Sequence, residues 1–385
     1  MNMIYLDNNS TTKMDADVFQ SMFPYFSEEY GNASNIKNRA GKNANKAVKD
    51  SLYLLKECFN AKSSEDFIIT SGATEANNLA ISGLLMSDSC PKHIIVSCIE
   101  HPSVLNVCRW WESRGIRCTF IPVDSNGIVK VDEIEKNITN NTCLISVMSA
   151  NNEIGTIQPI GKIVEIARKR NILVHTDATQ YIYYQFIDVQ EIPVDMISFS
   201  AHKIHGPKGV GGLYANERAR SMLNPIIFGG GQQEGLRSGT LNVPGIVGMA
   251  KAAQIQKKEQ PIVNVRLLEL RNLLLDILQR KVEFQINGDI RSRIPNNLNL
   301  IFPNIPANVL ISNVPELAIS TGSACSSERT NNDSYVLKSI GIQENWARSA
   351  IRIGLSKYST KDEIIYAANR IANVVNELRG KISWV

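Results

Sequence analysis

The sequence has no run of about 18 apolar residues, the length a membrane-spanning helix needs. Its N-terminus, MNMIYLDNNSTTK, lacks the basic start and apolar centre of a signal peptide. Neither sign of charge dominates. Lys and Arg number 41 against 37 Asp and Glu, and no basic cluster is interleaved with aromatics. That excludes the usual signatures of a direct nucleic-acid or membrane-surface binder. Internal repeats and low-complexity tracts are also missing, which excludes a solenoid, a fibre and a disordered tail protein. Paired cysteine motifs are absent too. Seven cysteines (Cys58, Cys90, Cys98, Cys108, Cys118, Cys143 and Cys325) make an odd count, and none forms a Cys-x-x-Cys. The expectation is a reduced, cytoplasmic protein rather than a secreted, disulfide-stapled one.

What remains is 385 residues, 43% hydrophobic, enough for a large core. At ~100–200 residues each this suggests about two domains. Short β-branched runs read as buried strands: Phe67–Thr70, His93–Ser97, Arg117–Pro122, Cys143–Met148, Ile172–Thr176 and Met196–Ser200. Amphipathic helices lie between them. One runs from Ile160 to Arg170, with Ile160, Ile163, Val164 and Ala167 on one face and basic residues in its last turn. Alternation of this kind predicts an α/β fold with a mostly parallel central sheet flanked by helices. Near Gly245 the character changes. A helical stretch over Val247–Lys281, broken near Pro261, precedes strands at Glu283–Asn287, Asn297–Phe302, Leu317–Ser320 and Ala350–Leu355. A last helix opens on the capping box Thr360-x-x-Glu363, with Ile364, Ile365, Ala368, Ile371, Ala372 and Val375 as its apolar stripe. This second part reads as a smaller α+β domain.

Three motifs carry chemistry. Ser71-Gly-Ala-Thr-Glu75 joins a strand to a helix, a geometry that binds anions through free N–H groups, although an ordinary capped turn reads the same way. His175-Thr-Asp-Ala-Thr-Gln180 places Asp177 at a strand's carboxyl end, where it can pair with a ring-nitrogen cation or merely cap the next helix. Ser198-Phe-Ser-Ala-His-Lys-Ile-His-Gly-Pro-Lys-Gly209 sets Lys203 at the end of an apolar strand, where desolvation can free its amine as a nucleophile. A phosphate cup, a ring-nitrogen acid and such a lysine together describe a pyridoxal-phosphate enzyme.

With these motifs the sequence resembles the group I cysteine desulfurases, fold-type I pyridoxal-phosphate enzymes of the class V aminotransferase family. The resemblance runs from Tyr5-Leu-Asp-Asn-Asn-Ser-Thr-Thr12 to about Leu355, through SGATEANN, IEHPSVL, ANNEIG, HTDATQ, SFSAHKIHGPKG, GGGQQEGLRSGT, STGSAC and AIRIGLS. It implies a large cofactor-binding domain over residues 13–250. Residues 1–12 and 251–385 would form a small domain bearing the reactive cysteine. Lys203 is implied to hold pyridoxal 5'-phosphate as a Schiff base. Asp177 would meet the pyridinium nitrogen, Gln180 the ring hydroxyl, and Thr74, Ser200 and His202 the phosphate. His101 would stack on the ring and shuttle a proton. Thr240 would reach the phosphate of a second subunit, which makes a homodimer the expected assembly. Asn152 and Arg352 would take the substrate carboxylate, and no metal is called for. Cys325, among small polar neighbours that predict an exposed loop, would accept sulfur from L-cysteine, release L-alanine and pass the persulfide to a protein acceptor. That acceptor would serve iron–sulfur assembly, tRNA thiolation or DNA phosphorothioation.

Rival expectations are another enzyme of the same fold (an aminotransferase or selenocysteine lyase) and a non-catalytic sulfur-relay or scaffold protein. The sequence departs from the family in three places. Ala33 and Asn38 stand where many members have Pro and His, and the loop after Cys325 is one residue longer than common forms. The tail after Arg352 is shorter than the one with which housekeeping cluster-assembly members dock their scaffold. The STGSAC motif, the Gly-Asn-Ala segment and that tail resemble members feeding DNA phosphorothioation.

Overall fold

A computed structural model of the chain describes residues 3–87, 92–321 and 334–382. Among these residues thirteen strands form three sheets. In chain order, β1 is Ile4–Tyr5, and β2 (Phe67–Thr70), β3 (His93–Ser97), β4 (Arg117–Ile121), β5 (Thr142–Ser146), β6 (Leu173–Asp177), β7 (Met196–Ser200) and β8 (Gly211–Ala215) follow. Then come β9 (Gln285–Ile286), β10 (Asn297–Ile301), β11 (Leu317–Ala318), β12 (Ser320–Thr321) and β13 (Ala350–Gly354).

Strands β2 to β8 build the large sheet in the order β2-β8-β7-β6-β5-β3-β4. Strand β8 runs antiparallel to both neighbours, and the pairings from β7 to β4 are parallel. The expected mostly parallel sheet is therefore present. Because β8 alone is reversed, the other six strands all point their carboxyl ends to one edge. Successive residues serve opposite faces, as the pleat demands. Ile68, Ile94, Val96 and Leu144 pack with the helices Ala73–Leu85 and Pro102–Glu112. Ile69, Ile95, Ile145 and Val174 pack with Arg39–Phe59, Ile160–Lys169 and Val243–Gln279 on the other side. At the open edge the Gln233 side chain closes β2: the Ile69 N–H donates to its Oε1 at 2.6 Å, and its Nε2 donates to the Ile69 carbonyl at 3.0 Å. An edge sealed in this way offers no ladder to another chain.

The second sheet is antiparallel, in the order β12-β13-β10-β9. Strand β1 pairs in parallel with β11, so the chain's start is tied to its last third. The closing helix Lys361–Ile382 opens on the expected capping box: the Thr360 N–H donates to Glu363 Oε2 at 2.8 Å, and the Glu363 N–H to Thr360 Oγ1 at 3.3 Å. Ile364, Ala368, Ile371, Ala372 and Val375 are buried, joined by Ala367, while Ile365 is half-buried.

Three expectations changed. Leu317–Ser320 is two strands, β11 and β12, and β9 is only two residues long. The Gly-rich strand β8 was not anticipated. The helix expected to break near Pro261 is continuous from Val243 to Gln279. A proline inside a helix costs about 3 kcal/mol through its missing N–H and its ring. Tertiary contacts outweigh that cost here. Gln256, Gln260 and Asn264, one turn apart across the proline, donate their amides to the carbonyls of Tyr183, Ile182 and Tyr184. Gln260→Leu strands the buried Ile182 carbonyl and should cost about 1–3 kcal/mol. A lower denaturant midpoint at unchanged slope is the expected result.

Candidate active site

The carboxyl-end edge of the large sheet opens into a cavity of about 490 Å³. Lys208 and Gly209 line it together with six further segments. The turn after β2 gives Ser71 to Thr74, and the loop after β3 gives His101 and Ser103. Beyond β5 lie Met148, Ala150 and Asn152; β6 ends on Asp177, followed by Thr179 and Gln180. Strand β7 ends on Ser200 and leads into the short turn carrying His202 and Lys203. Asn9, Ser10 and Thr11 complete the wall from the chain's start. Thr74, His101, Asn152, Asp177, Gln180, Ser200, His202 and Lys203, eight residues expected from sequence, thus share one cavity.

The turn after β2 is shaped by glycine. Gly72 has φ +154°, and a Cβ on Gly211 of β8 would sit 2.5 Å from the Phe199 oxygen and 2.7 Å from Gly72 Cα. Gly211 therefore lets β8 approach the turn, a close-packing role that explains a glycine-rich strand. Gly72 begins the helix Ala73–Leu85 without a side-chain cap, so its first-turn N–H groups take no side-chain partner from that position.

Lys203 Nζ donates to the carbonyls of Asn9 and Ser10, both at 2.6 Å. Gln180 exchanges bonds with Asn9: its Nε2 donates to the Asn9 carbonyl at 2.9 Å, and Asn9 Nδ2 donates to its Oε1 at 3.1 Å. Asp177 accepts from the Thr179 N–H at 3.0 Å and from Asn77 Nδ2 at 2.8 Å. His101 caps the helix Pro102–Glu112 with its ring, Nδ1 accepting from the Ser103 N–H at 3.2 Å. Burial pushes the His101 imidazole below its ordinary pKa; Asp177 opposes that shift and Lys203 adds to it. Burial, with Lys203 and Lys208 nearby, takes His202 down to about 4. Under the floor, His175 lies between the hydroxyls of Ser146 and Ser198, and burial lowers it to about 4.

Arg352, in β13, is 1% exposed and stands beside the cavity rather than on its wall. Its Nη1 donates to the Asn152 carbonyl at 3.1 Å, and its Nη2 to Asp7 Oδ1 at 2.9 Å and Ser10 Oγ at 2.6 Å. Two buried atoms here have no hydrogen-bond partner, Arg352 Nε and Asn152 Oδ1. Glu153 is buried next to this cluster and accepts from the Ser334 hydroxyl. Burial raises its carboxyl to about 7, with the Ser334 bond and Arg352 opposing.

Two expected residues are not gathered. Thr240 is exposed and absent from the cavity wall, and Cys325 lies outside the described residues, as does Cys90. The five described cysteines are free thiols. Burial pushes Cys58 up to about 12, and hydrogen bonding with Cys118, joined by burial, pushes Cys108 upward, which leaves them poor nucleophiles. Asn38 caps the helix Arg39–Phe59 by accepting from the Gly41 N–H at 2.8 Å. Sequence reasoning had not singled out Asn9, Ser10, Asn77, Ser103 or Glu153. All of them fall inside motifs already noted, YLDNNSTT, SGATEANN, IEHPSVL and ANNEIG.

The sequence profile of the Aminotransferase class-V family matches residues 4–366. The chain belongs to this family. It is 41% identical over 378 residues to the cysteine desulfurase IscS of Rickettsia prowazekii, covering 98% of this chain and 92% of the relative. Among solved structures, a NifS-like protein superposes with a TM-score of 0.90 at 35% identity, over 97% of this chain and 99% of the other. SspA in complex with cysteine gives 0.82 at 32% identity, over 93% and 100%. Class-V enzymes depend on pyridoxal phosphate, and the donor set fits that group. One end of the cavity gathers the uncapped helix start, Thr74, Ser200, His202 and Lys208, suited to a phosphate. The Asp177 carboxylate suits a ring-nitrogen cation, and the Lys203 amine a carbonyl carbon.

The Glu153 carboxyl, raised to about 7, makes the folded chain hold a proton that the unfolded chain has released. Stability from that proton is present below the ordinary carboxyl range and lost as pH rises through about 7. Glu153→Gln should therefore gain stability relative to the parent as pH rises from 5 to 8. Paired thermal melts at the two pH values check it.

Proposed function

We propose that the chain is a cysteine desulfurase, taking sulfur from L-cysteine onto Cys325 and releasing L-alanine. The observation that carries this reading is the convergence of Lys203, Asp177 and the β2 turn in one cavity, with the guanidinium of Arg352 buried beside it. Pyridoxal phosphate, when bound, supplies an electron sink that acidifies the substrate's Cα–H bond. Thr74, Ser200 and His202 hold its phosphate, Asp177 its ring nitrogen and Gln180 its ring hydroxyl.

Arg352 and Asn152 orient the L-cysteine carboxylate. A guanidinium suits that task because its fork matches two oxygens at once. Lys203 Nζ, freed from the cofactor, takes the Cα proton. His101 moves a proton at the ring nitrogen that does not cap the helix. Cys325 Sγ attacks as a thiolate and bonds to the substrate sulfur. The carbon–sulfur bond breaks with its electron pair going to carbon, which is protonated to give L-alanine. The persulfide then passes to a protein acceptor. In this reading residues 13–250 carry the cofactor, and residues 1–12 with 251–385 carry the sulfur-accepting cysteine.

A homodimer belongs to the same reading, with Thr240 reaching the partner's phosphate. Phe19, Phe23, Phe26, Tyr30 and Phe228 are exposed, Tyr30 at 76% and Phe228 at 75%, an apolar cost that a second copy would remove. Among the described residues no helix is long and apolar enough to cross a membrane.

Cys325→Ala should keep the cofactor's absorbance near ~400 nm, the region of a lysine-bound pyridoxal group, and lose L-alanine formation. Sulfide release that persists in this variant, or turnover with keto acids, would instead favour an aminotransferase or lyase. Arg352→Lys keeps the charge and loses the fork. Its KM for L-cysteine should rise roughly tenfold or more, as loss of one charge-assisted bond implies, in steady-state assays. A monomer by light scattering would remove Thr240 from the site.

A further inference from the structure

Asn77 is wholly buried on the helix Ala73–Leu85, away from the cavity wall, and has no place in the chemistry above. Its Nδ2 lies 2.8 Å from Asp177 Oδ2 and 2.8 Å from Ser103 Oγ. Ser103 Oγ lies in turn 2.8 Å from His101 Nδ1. We propose that Asn77 and Ser103 are positioning residues that fix the His101 tautomer, holding its single proton on Nε2. The inference rests on the reading of His101 as the proton-carrying residue.

The argument is one of donor counting. A carboxylate only accepts, so the Asn77 atom facing Asp177 is the nitrogen, not the oxygen. That nitrogen has two hydrogens, one for Asp177 and one for Ser103 Oγ. Ser103 Oγ, having accepted, has its own hydrogen left for His101 Nδ1. The Ser103 backbone N–H also donates to Nδ1, and a backbone N–H cannot reverse its role. Both neighbours of Nδ1 are therefore donors, and a proton there would face two hydrogens. The neutral ring keeps its proton on Nε2, the opposite nitrogen. The charged groups acting on His101 are Asp177 and Lys203, of opposite sign, so the hydrogen-bond chain decides the tautomer between them. The same amide joins the Asp177 carboxylate to the hydrogen-bond chain of the His101 imidazole, so one side chain holds both in register.

The test uses holoenzyme carrying 15N-labelled histidine, with His101→Gln to assign the signal. At neutral pH the His101 signals should be those of the Nε2–H tautomer. Ser103→Ala removes the hydroxyl donor and leaves the backbone donor. The Nδ1 site then protonates more readily, and the acid limb of the kcat/KM profile should rise by about half to one pH unit, the worth of one neutral hydrogen bond. Ser103→Thr, which keeps the hydroxyl, should restore the parent profile. Asn77→Ala frees the serine hydroxyl to turn away from Nδ1 and should move the acid limb in the same direction as Ser103→Ala, the backbone donor alone then facing Nδ1. A parent spectrum with the proton on Nδ1 overturns the proposal. So does a Ser103→Ala protein whose spectrum and profile both match the parent. An Nε2–H spectrum in a protein that takes no sulfur from L-cysteine would discard the desulfurase reading and support the network.

Discussion

Arg352 is a full positive charge kept almost wholly out of water, and a charge so placed must be met by hydrogen bonds and a counter-charge. The partners come from far apart. Asp7 and Ser10 lie at the beginning of the chain and Asn152 follows β5. In the ladders, Arg352 stands opposite Asn299 of β10 and Ser320 of β12. The Ser320 hydroxyl donates to Asp7 as well. One guanidinium therefore joins the chain's start, the second sheet and the loop beyond β5. The Asn9 and Ser10 carbonyls that receive Lys203 belong to that same segment, so the lysine's position depends on the arginine's pairing.

The large sheet does complementary work. Of its six like-directed strands five are buried throughout and the edge strand β4 is half-buried, and the chemistry-bearing residues follow the ends of buried strands. Loops positioned by a packed sheet can hold polar groups near one another. The histidines show the same division. His175, under the floor, is fully hydrogen-bonded between two serines and neutral, while His101 shares its ring between capping a helix and facing the cavity.

Much of this was legible in the sequence. The strands Phe67–Thr70, His93–Ser97 and Met196–Ser200 have the bounds expected of them, because strands buried on both faces are β-branched runs cut off by polar residues. Eight site residues were legible because each closes such a strand or follows it. The strand β8 was hidden because its glycines answer to the neighbouring turn, not to strand propensity. The helix Arg39–Phe59 carries its buried stripe on Ala44, Ala47, Val48, Ser51 and Leu55, which are mostly small and give a faint signal. Continuity through Pro261 depends on three amides and on carbonyls some 80 residues away, and no local pattern states that. Asn77 and Ser103 were in view as letters of motifs, but their roles exist only in the folded contact.

The bond between Asp7 and Arg352 spans 345 residues. A ribosome delivers the first partner long before the second. Throughout that interval the large sheet can assemble, since β2 to β8 are complete by residue 215. The guanidinium's bonds to Asp7 and to the Ser10 hydroxyl wait for β13. That long-range contact therefore closes on a sheet whose strands are already made, and before it closes Asn9 and Ser10 are held from the sheet side, by Lys203 and Gln180.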